Sequence, residues 1–218
     1  MGCAKRKDSM LAAGISPSTK TVLESIVDVD FVKRYYLAGG TACALYYGHR
    51  LSYDLDFFSL NPEEPQQITL KLKKIGKLNV QQESDGTWLG SLNGVKLSFF
   101  EHLYPEIGVE EKWMGVRIAS KTDIACMKLE AIASRGIMRD FVDMYYLTRE
   151  IGLEEIMSSL KQKYVGIDYS DFHFLRALTY FEDADKSVKP NMLEPLDWDG
   201  VKKYFESEVK RLSAKWGV

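Results

Sequence analysis

The segment from Tyr35 to Leu60, YYLAGGTACALYYGHRLSYDLDFFSL, limits the possible folds more than any other stretch of the chain. An apolar run enters Gly39-Gly40, small residues follow, and a second apolar run carries Asp54 and Asp56. Tyr35 to Ala38 predicts a short strand, Thr41 to Tyr47 a helix entered through the glycines, and Tyr53 to Phe58 another strand. Glycine accepts positive φ and lets a ligand approach bare backbone. The helix behind it offers unpaired N–H groups and the positive end of its dipole, which suits a phosphate. A tight strand-to-helix turn with no ligand would use the same residues. On a strand, Asp54 and Asp56 leave one face while Leu55 and Phe57 enter the core. Carboxylates this close repel unless a proton or cation intervenes. Mg²⁺ held by one or two carboxylates and substrate phosphates is one solution; a solvated strand end is the plain alternative.

Around this segment the chain changes character. Ser16 or Ser18 caps a helix carrying Val22, Ile26 and Val29, and NPEEPQQITLKLKKIG predicts another, with acids first and lysines last. Asn93-Gly94 between two alternating runs predicts a type I′ hairpin that pairs Leu92 with Val95, Gly90 with Leu97 and Trp88 with Phe99, so Lys96 and Ser98 point to the other face. From Ser120 onward helix patterns follow one another. The expected organisation is a flexible tail over 1–15, an α/β core over 16–119 and a helical region over 120–218.

Composition excludes some classes. Apolar residues make up 45 % and charged residues 28 %, enough for a buried core, and the net charge of −2 means that any nucleic-acid contact must rest on a local patch. Cys3, Cys43 and Cys126 form no CxxC pattern, and Cys43 and Cys126 read as buried thiols. No secretory h-region or membrane-length apolar run occurs, and Arg6 stands where a Gly2 myristoylation signal wants Ser or Thr; a cytoplasmic protein is expected.

LAGGTACALYYGHRLSYDLDFFS, together with DIACMKLEAIASRGIMRDFVDMYYL and the later ALTYFEDADKSVKPNML, resembles the AbiEii/AbiGii toxin family within the polymerase β-type nucleotidyltransferases. The resemblance implies a mixed α/β nucleotidyltransferase sheet flanked by helices and followed by a helical region. It implies transfer of an NMP group from an NTP to an acceptor, with RNA such as a tRNA 3′ end as one acceptor, an antitoxin encoded nearby as a partner and phage defence as the setting. Residue by residue, it places the triphosphate at Gly39, Gly40 and Thr41, with Arg50 and Ser52 beside it. Mg²⁺ falls to Asp54 and Asp56, and catalytic roles extend to Lys128 and Asp143. A snorkelling Lys128, a structural pairing of Asp140 with Arg135 or Arg139, and a structural ion pair at Arg50 are the plainer readings of the same positions.

The superfamily's third carboxylate would fall on the GVKLSFF strand, where this chain has Ser98, and Glu101 has the wrong parity. Asp143 is the expected substitute. A catalytically impaired nucleotide-binding or interaction module is therefore the alternative to an enzyme. His49, His102 and His173 are too dispersed for a zinc motif, and FHFLRALTYF reads as helix core.

Overall fold

Asn93 and Gly94 both take positive φ, 50° and 83°, and the strands they join pair as the alternation requires: Leu92 with Val95, Gly90 with Leu97, Trp88 with Phe99. This hairpin belongs to a computed structural model that describes residues 12–167 and 170–217. Cys3, Gly2 and Arg6 lie outside the described residues. The chain divides into two compact units, Met1–Ser120 and Lys121–Val218.

In the first unit, seven strands form one mixed sheet: β1 (Tyr36–Leu37), β2 (Leu55–Ser59), β3 (Leu78–Ser84), β4 (Thr87–Leu92), β5 (Val95–Glu101), β6 (Glu111–Trp113) and β7 (Val116–Ile118). Their order is β3-β4-β5-β2-β1-β7-β6, with β2·β5 and β1·β7 parallel and the other neighbours antiparallel. The inward face of the central strands carries Leu55, Phe57, Leu97, Phe99 and Trp88, all buried. Phe99 stacks on Phe57 at 5.2 Å and meets Phe31, Tyr35 and Trp88 edge-on at 5.0–5.9 Å. Close, largely edge-to-face packing of large rings thus lies at the centre of this unit's core.

Helix α1 (Pro17–Ile26) begins as expected, with the Ser16 hydroxyl accepting the Thr19 N–H at 3.1 Å and Pro17 in its first turn. Helix α2 (Gly39–Tyr47) starts at the glycine pair itself, two residues before the expected start, and stops at Gly48 with φ 61°. Strand β2 begins at Leu55, so Asp54 lies at its entrance rather than inside it. Helix α3 (Pro65–Leu72) buries Ile68 and Leu72. Of the tail expected over 1–15, residues 1–11 lie outside the described residues, whereas Gly14 and Ile15 are buried in the unit. Ile15 bridges Ser52, and a side chain at Gly14 would reach within 2.0 Å of the Ala44 carbonyl. Close packing against α2 therefore orders this part of the chain.

The second unit contains α4 (Lys121–Ser134), α5 (Met138–Ile151), α6 (Leu153–Lys163), α7 (Asp171–Ala177), α8 (Glu182–Lys186) and α9 (Trp198–Trp216). Phe141 of α5 anchors its core, with Phe181 and Phe205 at 5.1 and 5.8 Å. Burial pushes the Cys126 thiol up to about 12, with Lys163 opposing and Asp123 adding to the shift, which makes it an inert core group. Among the described residues no helix is long and apolar enough to cross a membrane.

Candidate active site

The turn after β1 is built for contact with the neighbouring strand. Ala38 is extended, and its N–H donates to the Asp56 carbonyl at 3.1 Å. Gly39 then takes φ +66°, a conformation that L side chains rarely adopt. A Cβ there would stand 3.4 Å from Asp56 Oδ2, so the bare backbone of the turn lies directly against this carboxylate. The two halves of the segment, separate in sequence, form one place.

Arg50 closes the other side of the turn. Its Nη2 donates to the Gly40 carbonyl at 3.3 Å and its Nη1 to the Leu51 carbonyl at 3.2 Å. A Cβ on Gly40 would come within 2.5 Å of Nη2, so the second glycine leaves room for the guanidinium. Arg50 is buried, and its charge shares a corner with the positive end of α2. Such a corner attracts an anion.

Thr41 and Ser52 are tied into the fold by hydrogen bonds of their own. Both are buried, and the Thr41 hydroxyl bonds Ser52 Oγ at 2.7 Å and also the Asp54 carbonyl. The Ser52 N–H donates to the Gly14 carbonyl at 2.9 Å, and the Thr19 hydroxyl to the Tyr53 carbonyl at 3.2 Å. Together these bonds fasten the segment before β2 between α1 and α2 and fix where Asp54 stands.

Asp54 and Asp56 are half-buried, and among the described residues neither carboxylate has a hydrogen bond or ion pair. Asp56 pairs in register with Ser98 on β5, which places the serine where the third acid was sought. Ser98 is buried, a short side chain between Asp56 and Leu89 in the neighbouring strands. Glu101 pairs with Ser59 and belongs to the other parity. Two hard oxygen donors two residues apart, with no internal cation of their own among the described residues, are the donor type that suits a divalent cation such as Mg²⁺.

Lys128 and Asp143, the other expected site residues, lie in the second unit and meet each other. The Lys128 ammonium sits between Asp143 Oδ2 at 2.6 Å and Asp140 Oδ1 at 3.0 Å, all three side chains at most 5 % exposed. Arg135 adds two hydrogen bonds to Asp140, at 2.9 and 3.0 Å. Burial raises the Asp140 carboxyl, but Lys128 and Arg135 together outweigh it and hold the group below the ordinary carboxylate value. The pairing of Asp140 with Arg135 agrees with the structural reading of that position, and a negative partner for Lys128 was expected from its apolar surroundings. His49 is buried, edge-on to Tyr47 at 6.0 Å.

Sequence comparison finds the nucleotidyl transferase AbiEii toxin domain of type IV toxin–antitoxin systems matching residues 21–86, which contain the glycine turn and both aspartates. An uncharacterized protein of Aquifex aeolicus is 40 % identical over 198 residues, covering 88 % of this chain and 94 % of that protein. Among solved structures, JHP933 from Helicobacter pylori matches with a TM-score of 0.57 at 18 % identity, over 99 % of this chain and 94 % of its own. MenT4, a nucleotidyltransferase toxin from Mycobacterium tuberculosis, matches with a TM-score of 0.54 at 13 % identity, over 94 % and 85 %. At these identities the two structures establish the nucleotidyltransferase fold.

Proposed function

Because the chain belongs to the nucleotidyl transferase AbiEii toxin family and is a nucleotidyltransferase, we propose that it moves an NMP group from an NTP to an RNA end in a Mg²⁺-dependent reaction. The observation that supports this reading is the juxtaposition of Gly39 with Asp56, which sets the bare backbone of the turn against one of the two carboxylates. In the proposal the α2 N-terminus, Gly39, Gly40 and Arg50 hold the β- and γ-phosphates. Asp54 and Asp56 would hold Mg²⁺, which supplies charge neutralisation at the triphosphate. Thr41 and Ser52 position Asp54. The acceptor hydroxyl oxygen bonds to the α-phosphorus, the bridge to the β-phosphorus breaks, pyrophosphate leaves, and the hydroxyl proton passes to water.

Family membership supports the broader setting: a cytoplasmic toxin with a partner antitoxin, acting in phage defence. Lys128 and Asp143 keep the catalytic roles the resemblance implies as assignments, and the Asp143→Asn variant tests them. Unchanged turnover in a folded variant would reduce the pair to a structural one.

Ser98 beside Asp56 favours a second reading, a nucleotide-binding module with impaired catalysis. Incubation with each α-labelled NTP, Mg²⁺ and total cellular RNA or protein separates the two. Label transfer abolished in Asp54→Ala/Asp56→Ala supports the enzyme and its site. Transfer that persists in that variant refutes the site, and NTP binding without transfer to any acceptor favours the module.

A further inference from the structure

The strand register that places Ser98 beside Asp56 also sets three aromatic rings in a row on the same outward face. Phe58 lies two residues beyond Asp56, and Phe100 two beyond Ser98, so each is about 6.6 Å along its strand from the site. Tyr36 pairs with Phe58 across β1. The rings are nearly parallel: Phe58 and Phe100 are 5.2 Å apart with planes 28° apart, and Tyr36 and Phe58 are 6.0 Å apart with planes 24° apart.

The two ends of this stack differ. At the Tyr36 end, His102 packs edge-on against Tyr36 and Phe58, its Nδ1 lies 2.9 Å from the Tyr36 hydroxyl, and Tyr36 is buried. At the other end Phe100 is half-buried beside Thr87 of β4, a side chain too short to cover the ring. On the opposite side of Ser98 the same strand presents Lys96, exposed and without an ion pair among the described residues. Strand β5 thus shows, in order, an ammonium, a recessed serine and a ring, with the serine beside Asp56.

The direction of the chemistry assigns this row. Gly39 and Gly40 lie on the β1 side of Asp56, so a pyrophosphate held at the turn departs on that side. In-line displacement brings the acceptor from the opposite side, which is β5. We propose that Lys96 and Phe100, the latter backed by Phe58, form the acceptor subsite and take the unpaired end of a single-stranded RNA, with a base against Phe100 at the end of the stack and a backbone phosphate at Lys96. This rests on the nucleotidyl-transfer reading of Asp54 and Asp56. A cation and a ring on one strand offer partners for a phosphate and a base, whereas a duplex keeps its base faces stacked inside. A protein acceptor would have no use for a stacking surface next to a phosphate-sized charge.

The test uses the full chain and a short fluorescent single-stranded RNA of mixed sequence, with ultraviolet crosslinking to map contacts. Phe100→Leu and Phe58→Leu keep apolar volume at half-exposed positions, and Lys96→Ala changes only an exposed side chain; melting curves check each fold. The expected results are roughly tenfold weaker RNA binding for Phe100→Leu, a smaller loss for Phe58→Leu, which only backs that ring, a salt slope shallower by about 0.7 for Lys96→Ala, and crosslinks on the peptide carrying Phe100. Wild-type affinity in all three variants, failure of the wild-type chain to bind the RNA, or label transfer to protein alone would each overturn the assignment. NTP binding by the wild-type chain, measured in parallel, decides the Asp54–Asp56 reading separately.

Discussion

The two units treat paired acids in opposite ways. In the helical unit every buried aspartate comes with its own cation: Asp123 with Lys163 at 2.7 Å, Asp140 and Asp143 with Lys128, and Asp140 with Arg135 as well. In the sheet unit Asp54 and Asp56 stand side by side, half-buried, with no such partner among the described residues. Burying a charge without a counterion is costly, and the helical unit meets that cost with lysines supplied by the chain. The acids at the mouth of the glycine turn keep part of their surface open to solvent instead. The chain thus carries acids with a cation of its own in one unit and acids without one in the other.

The sharpest way to break this contrast is to remove each kind of acid or cation in turn. Asp54→Ala/Asp56→Ala should lower nucleotidyl transfer by about 10²–10⁴-fold, the several kcal/mol of transition-state charge stabilisation that a bound metal provides. Its urea midpoint should stay close to that of the wild type. Lys128→Met should do the reverse to stability, lowering the unfolding free energy of the helical unit by about 3–5 kcal/mol because Asp143 and Asp140 lose a buried partner. Urea titration reads both, and equal destabilisation of the two variants would erase the distinction. Gly39→Ala should cost about 1–2 kcal/mol for the left-handed φ alone, and should weaken NTP binding beyond the effect of a remote substitution of equal cost.

The smallest expected effect is on acid stability. The Asp140 carboxyl is depressed in the folded chain, so as pH falls below about 3.9 the unfolded chain takes up this proton first. Its contribution is present in full above that value and is lost as pH falls through the folded value. Thermal melts between pH 6 and pH 2 should show the decline, and it should be shallower in Asp140→Asn.

How much of this was legible without coordinates depended on whether the signal was local. The Asn93-Gly94 turn fixed the β4–β5 register because both residues accept positive φ, and parity then placed Ser98 opposite the carboxylates. The β6–β7 hairpin went unread: its turn is Met114-Gly115, with Met114 at φ 50°, a residue that carries no turn signal. Gly39, Gly40 and the aspartates could be named from the segment, but the direct contact of Gly39 with Asp56 comes from the pairing of β1 with β2. Thr41 and Ser52 were assigned to the nucleotide by the resemblance; that their hydroxyls meet each other needs the fold to bring α2 beside the segment before β2. The row Lys96–Ser98–Phe100 is visible as alternation, yet its alignment with Phe58 needs the parallel β2–β5 register, which no short motif encodes.

The central claim is that Asp54 and Asp56 hold a divalent cation together with the triphosphate at the Gly39 turn. Calorimetric titration of the full chain with each NTP, with Mg²⁺ and with chelator, tests it most directly when run beside Asp54→Ala/Asp56→Ala. The account predicts NTP binding that requires Mg²⁺ and is lost in the double variant while the fold persists. Binding that is equally tight without Mg²⁺, or unchanged in the double variant, would contradict it.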